Sequence, residues 1–382
     1  MTKKRSRLLF GLVGAAIAVI AGLLLVELGL RLLWKPPQPL GRLSYATADG
    51  EPVADVVAAA ARGYVVPVAA DQRPRERYMF APGKSFYLCY SDNDQLHNDW
   101  FDDRGRVLVR IDDLGLRERP EVVGAKPPGQ QRIVCIGDSF TFGWGVPEEL
   151  CWVRLLEDDL RAAQRDVRTV NCGAAGALCV DEYEWGLRHR FGKLQPDAVI
   201  VTICLNDLIP SSGLFIQGPT PRTGLLTLDL LLRAVGRSPL DLDPKIDWVQ
   251  LLLDLPEKAG TDSGLYGSDK PYGAMWSQGT PQRSLIAMKA WCDERNVPLM
   301  IVLWPFLQGL GPGADYPFAR LHQMVGKFCS DNGLPFLDVL PALAGHIPEE
   351  LWVTPADMHA NPTAQRLATT LIAPFVAAHL PR

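Results

Sequence analysis

Between Arg132 and Val339 short apolar runs alternate with longer stretches of helical period, the pattern of strands separated by helices. The runs Ile133–Ile136, Val167–Asn171, Ala198–Ile203, Leu299–Leu303 and Phe336–Val339 predict five strands. A helical connection returns each strand to the same end of the sheet, so the strands are expected to be parallel. Helices are predicted over Glu148–Ala163, Asp181–Arg190, Gln282–Arg295, Pro317–Asp331 and Pro362–His379. The fold class is therefore α/β.

Ahead of this region the pattern differs. Leu8–Val26 is an uncharged apolar run of 19 residues, long enough as a helix to cross a hydrocarbon layer. Lys3, Lys4, Arg5 and Arg7 precede it, which predicts a cytoplasmic N-terminus and an extracytoplasmic remainder, although Arg31 and Lys35 reduce the asymmetry. A cleaved signal peptide is the rival reading, with Ala16-Ile17-Ala18 as the cleavage site. That triplet sits inside the apolar run, so an uncleaved anchor is expected. Lys35–Pro39 reads as an extended spacer. Residues 40–130 are turn-rich, with a helical stretch at Val53–Arg62, a strand-like piece at Arg106–Ile111, and the character of a flank packed on the main domain. The expected division is an anchor at 1–34, a linker and flank at 35–130, and a catalytic domain at 131–382. An insertion at 208–279, with a helical patch at Leu225–Val235, is expected to shape the substrate site.

With 382 residues and 47% hydrophobic content the chain can bury a large core. A net charge of -4, with no basic block beyond the N-terminus, gives no footprint for nucleic acid. The eight cysteines show no metal-ligand spacing, and Cys135, Cys172 and Cys204 fall in or beside strand-like runs as small buried hydrophobes.

In an open parallel sheet, ligands bind beyond the carboxyl ends of the strands. The residues there are Ser139, Gly173, Asn206 and Trp304-Pro305, joined by Asp357 and His359 from the loop before the last helix. A serine hydroxyl needs an imidazole to take its proton and a carboxylate to hold that imidazole. Asp357 and His359 lie between Pro355 and Pro362, where an extended backbone turns residues two apart to the same side. Gly137 permits the sharp turn before Ser139.

Gly137-Asp138-Ser139, Asn171-Cys172-Gly173, Asn206-Asp207 and Asp357-Met358-His359, in that order, resemble the motif blocks of the SGNH (GDSL-type) serine hydrolases. The resemblance covers roughly residues 130–382. It implies a three-layer α/β/α sandwich on a five-stranded parallel sheet in the flavodoxin-like order 2-1-3-4-5, a serine esterase activity, and no cofactor. It also implies Ser139 as nucleophile, His359 and Asp357 as the rest of the triad, and Ser139, Gly173 and Asn206 as oxyanion donors. Two departures stand out: Cys204 replaces a glycine common two residues before the block asparagine, and the aspartate precedes the histidine by two residues where three is usual. Leu114-Gly115-Leu116-Arg117 resembles a short element found ahead of the catalytic domain in membrane-tethered members.

The expected substrate is an ester, either an acylated carbohydrate such as an O-acetylated glycan or a lipid. An O-acyltransferase using the same serine, or a catalytically silent tethered scaffold, are the alternatives. Asp94-Gln95-Leu96-His97 reads as polar surface, and His189, His322, His346 and His379 as helix residues without partners or metal role.

Overall fold

The computed structural model describes residues 3–33, 44–53, 56–67, 78–90, 98–118, 125–174, 179–208, 225–228, 231, 276, 280–355 and 357–381. It divides into two compact units, Met1–Leu40 with Ile216–Ile246, and Gly41–Phe215 with Asp247–Arg382.

The first unit holds α1 (Lys3–Leu33). Its Val13–Leu33 stretch, 21 residues with a mean hydropathy of 2.4, is long and apolar enough to cross a membrane. Apolar side chains are exposed all round, Val19, Ile20, Leu24 and Leu25 among them. Glu27 interrupts that surface, and its carboxylate is fully engaged. It accepts from Arg31 Nε at 2.7 Å, from the N–H groups of Leu226 and Thr227 at 3.0 and 2.9 Å, and from the Thr227 hydroxyl at 2.6 Å. Residues 226–228 are helical, within the patch expected at Leu225–Val235, and most of the 208–279 insertion lies outside the described residues.

The second unit begins with short pieces: β1 (Ser44–Thr47), β2 (Pro52–Val53), α2 (Val56–Ala61), β3 (Val65–Pro67), β4 (Tyr78–Phe80), β5 (Ser85–Cys89) and β6 (Arg106–Arg110). Four of them form an antiparallel sheet in the order β2-β1-β5-β6, with Tyr45 opposite Leu88 and Leu88 opposite Val107. The pattern in β5 and β6 alternates, because one face of this sheet is covered. Phe86, Leu88, Val107 and Val109 point inward and pack on Phe142, Val146, Cys151 and Val353. The sequence suggested a strand only near Arg106; the others are two to five residues long, too short to carry a period of their own.

The remainder runs β7 (Gln131–Gly137), α3 (Ser139–Phe142), α4 (Trp152–Ala162), β8 (Val167–Gly173), α5 (Val180–His189), β9 (Ala198–Cys204), α6 (Thr280–Asp293), β10 (Leu299–Trp304), α7 (Ala319–Asp331), β11 (Phe336–Asp338), α8 (Leu340–Leu343), β12 (Trp352–Thr354), β13 (Asp357–Ala360) and α9 (Pro362–His379). Five strands form a parallel sheet in the order β11-β10-β9-β7-β8. Numbered from β7, that is 2-1-3-4-5, as expected. Every residue of β9 and β10 is buried, which explains their unbroken apolar runs. Right-handed crossovers put a helix leading outward from β7 and one leading back across it on opposite faces. Accordingly α4 packs on α9 and α5 on α6, completing an α/β/α sandwich. The helix expected from Glu148 is divided: Glu148–Leu150 is a 3-10 turn, Cys151 is extended, and α4 starts at Trp152.

Candidate active site

At the carboxyl end of β7 the chain reverses in a tight turn, and the neighbours explain its glycine. A Cβ on Gly137 would collide with the hydroxyls of Thr141 and Thr202, which are bonded to each other just beneath the turn. Asp138 caps α3, its carboxylate accepting from the Phe140 N–H at 2.9 Å. Ser139 is the first residue of α3 and half-buried, so its own N–H has no intrahelical acceptor.

Asp357 and His359 lie on β13, which pairs with β12. Extended backbone sends both side chains to one side, and the Thr354 hydroxyl accepts from the Asp357 N–H at 3.0 Å to fix the strand's start. His359 Nε2 lies 2.9 Å from Ser139 Oγ, and His359 Nδ1 lies 2.5 Å from Asp357 Oδ1. The imidazole thus reaches a serine 220 positions earlier in the chain. His359 keeps 32% of its side-chain surface open and Asp357 only 11%, so the ring can be reached from solvent while the carboxylate cannot.

Electrostatics follow from that placement. Burial alone would raise the Asp357 pKa, but the neighbouring imidazole and hydrogen bonds from His359 and Tyr90 carry it below its ordinary value. Burial would lower that of His359; Asp357, with a contribution from Asp138, raises it instead. Asp138, buried under the turn, is pushed up to about 6 by desolvation. Asp207 is also buried and pushed well up, by desolvation and then by the charge of Asp138; its carboxylate accepts from the Cys204 N–H at 2.8 Å.

Asn206 follows β9 in the 3-10 turn Leu205–Leu208 and is exposed at the same rim as Ser139, since β7 and β9 are neighbours in register. Gly173 ends β8 opposite Gly137. Its N–H donates to Asn171 Oδ1 at 2.9 Å, and a Cβ there would run into the backbone of Thr141 and Phe142, so close packing demands a glycine. Trp304 is fully buried, its ring edge against Phe140, and so packs beneath the rim instead of lining it.

The sequence assigns no role to the other residues at this centre. Tyr90 donates its phenol hydrogen to Asp357 Oδ2 at 2.8 Å. Phe140 and half-exposed Trp144 flank the His359 ring at 5.9 and 6.2 Å between centroids, and Tyr45 meets Trp144 edge-on at 6.4 Å. Arg117, wholly buried, lies over the Phe142 ring and donates to the carbonyls of Phe142, Gly143 and Val146, holding the turn that carries Trp144. Its neighbour Glu118 accepts from the Asn171 N–H and from Arg154, and burial pushes it up to about 7. Against the expectation from sequence, two of the remaining histidines have partners: His322 Nδ1 lies 2.9 Å from Asp338 Oδ1, and His379 Nδ1 lies 2.8 Å from the Phe375 carbonyl. Asp94–His97 lies outside the described residues. Among the described residues no group of three His, Cys, Asp or Glu is placed to hold a metal ion.

Comparison with known families gives a match over residues 135–367 to the GDSL-like Lipase/Acylhydrolase family. The chain belongs to this family. It is a carboxylic ester hydrolase of the GDSL type. Similar solved structures include a G-D-S-L family lipolytic protein from Desulfitobacterium hafniense, with 14% identity and a TM-score of 0.38 over 64% of this chain and 99% of that one. Another is an acetylxylan esterase from Geobacillus stearothermophilus, with 14% identity and a TM-score of 0.41 over 66% and 96%. A third is a two-domain esterase active on acetylated mannans, with 15% identity and a TM-score of 0.37 over 65% and 50%. No curated protein matches the chain. In this GDSL hydrolase the shortened Asp-x-His spacing still brings carboxylate and imidazole together, because β13 is extended through both. Tyr90 and Arg117 lie outside the matched segment.

Proposed function

We propose that this GDSL hydrolase is a membrane-anchored, extracytoplasmic serine esterase that removes acyl groups, acetyl first among them, from a glycan. The observation that carries the reading is the His359 bridge, 2.9 Å to Ser139 and 2.5 Å to Asp357. Ser139 Oγ attacks the ester carbonyl while His359 Nε2 accepts its proton. Asp357 fixes the tautomer that leaves Nε2 free and stabilises the imidazolium. His359 then returns the proton to the departing alkoxide, leaving an acyl-serine, and water activated by the same imidazole releases the acid. The Ser139 N–H and the Asn206 amide face the developing oxyanion; the Gly173 N–H joins them only by exchanging its Asn171 partner.

The apolar stretch of α1, preceded in the same helix by Lys3, Lys4, Arg5 and Arg7, supports an anchor with its N-terminus in the cytoplasm. Trp144 and Tyr45 offer an aromatic wall beside the imidazole, a surface suited to the apolar face of a sugar ring. Full-length protein in detergent is expected to react with a fluorophosphonate at Ser139 and to release acetate from O-acetylated polysaccharide faster than it cleaves long-chain acyl esters. Preference for a long acyl chain would point to a lipid substrate instead. Transfer of acetyl to added sugar in preference to water would make the enzyme a transferase.

The raised His359 pKa sets a pH profile. A raised value means the ring keeps its proton to higher pH, and only the neutral ring can act as base. We expect kcat/KM to rise with pH through an apparent pKa above the ordinary 6.5 of histidine. Asp357→Asn should move that limb to lower pH, with kcat down by about 10⁴-fold. A limb at or below 6.5 in the parent enzyme, unmoved in the variant, would contradict the assignment.

A further inference from the structure

The two oxygens of Asp357 are held by different parts of the chain. Oδ1 accepts from His359, through Nδ1 at 2.5 Å and the backbone N–H at 3.2 Å, whereas Oδ2 accepts from the Tyr90 phenol at 2.8 Å. We propose that Tyr90 is a positioning residue of the catalytic centre, and that the antiparallel sheet ahead of the hydrolase fold is thereby a working part of the active site. The inference rests on the triad reading above and extends it to a residue 267 positions away, outside the segment that defines the family.

The surroundings of Tyr90 are built to deliver that hydroxyl. Tyr90 directly follows β5, is 1% exposed, and its backbone N–H donates to the Gly105 carbonyl at 3.0 Å. Its ring stacks on Phe101 with centroids 5.0 Å apart and planes 9° from parallel. Room for the oxygen is made by Gly145, where a Cβ would meet both the phenol oxygen and Val353, and whose φ of +75° also favours glycine. The next residue, Val146, belongs to the turn that Arg117 clamps.

The chemistry explains why a phenol serves here. A carboxylate bonded only through Oδ1 could turn about its last torsion, and Oδ2 would be buried without a donor. Burial and the Asp357 charge push the Tyr90 pKa well up, so the phenol remains a donor throughout the working range. Tyr45, raised to about 12, is the other phenol whose charge bears on Asp357; Asp138 acts on His359, and Arg117 on Tyr90. None of these replaces the bond to Oδ2.

Tyr90→Phe in the full-length protein in detergent is expected to lower kcat about tenfold to a hundredfold, the scale of one lost hydrogen bond to a charged group, with KM changed less than about twofold. Because Asp357 then holds its charge less dispersed, the imidazolium is bound more tightly and the acid limb of kcat/KM should move to higher pH. A tyrosine fluorinated beside its hydroxyl at position 90 keeps the packing and donates more strongly, so it should move the limb the opposite way. A Tyr90→Phe enzyme with parental kcat and pH limb overturns the proposal, as does a fluorinated enzyme with no shift. Should Ser139→Ala retain turnover, the triad reading itself fails, a result distinguishable from any of these.

Discussion

Ser139→Ala is expected to lower kcat on a short acyl ester by about 10⁶-fold and to abolish fluorophosphonate labelling, while leaving the thermal unfolding midpoint unchanged. In the proposed mechanism the oxygen removed is the one that forms the acyl bond, so no second nucleophile inherits its position. Residual turnover should come only from the oxyanion donors and from substrate binding, and show no acyl-enzyme burst. The fold should not notice the change, because Ser139 is half-buried and the turn is fixed by Asp138 and Gly137. Burst kinetics with a chromogenic acetate ester measure this directly. Turnover within tenfold of the parent would show that another group carries the chemistry.

Arg117→Ala is expected to have the largest effect on stability. Arg117 is 1% exposed and its guanidinium donates to three carbonyls, of Phe142, Gly143 and Val146, while its Cζ lies 5.0 Å from the centre of the Phe142 ring. Truncation opens a void and orphans buried acceptors, which together cost about 3–5 kcal/mol. For a unit of roughly 300 residues that corresponds to a fall of about 5–8 °C in unfolding midpoint. Lysine should recover little, since a single ammonium cannot span the carbonyls that the flat fork reaches together. Activity should fall at temperatures where the protein remains folded, because the clamped turn carries Trp144 beside His359. A scan of near-ultraviolet dichroism follows the unfolding; a midpoint within about 2 °C of the parent would show that the turn holds without its clamp.

These two residues mark how much could be read without coordinates. Ser139 was visible because a strand-like apolar run and Gly137 precede it and three further motif blocks follow it in order. The parallel strands were visible because both faces of the sheet are covered and the runs are apolar throughout. Arg117 was marked only as the end of Leu114-Gly115-Leu116-Arg117, a resemblance that gives it no role. A buried arginine satisfied by carbonyls looks in sequence like any surface arginine, since its acceptors are backbone atoms without residue identity. Gly173 shows the converse: a glycine after a strand suggested an oxyanion donor, whereas its packing against Phe142 is reason enough for the residue.

The flank at 40–130 illustrates the limit of periodicity. Its strands are short, and their alternation becomes meaningful only when Phe86, Leu88, Val107 and Val109 find a common surface to cover. That surface comprises Phe142, Val146, Cys151 and Val353, side chains from elsewhere in the chain. In the same way Tyr90 is one more aromatic residue at the end of a strand until folding sets it 2.8 Å from Asp357.

The sequence by itself determined the α/β class, the positions of the parallel strands, the apolar helix at the N-terminus, and the serine, histidine and aspartate that meet at one rim. Local periodicity and turn chemistry encode the elements, and the order of the motif blocks encodes the family. Only the tertiary structure decided that the preceding sheet supplies Tyr90 to the carboxylate, that Arg117 holds the turn beside the imidazole, and that the backbone of Thr141 and Phe142 leaves no room for a Cβ at Gly173. Those outcomes depend on contacts between residues far apart in the chain, which come into being when hydrophobic burial brings two sheets against one turn.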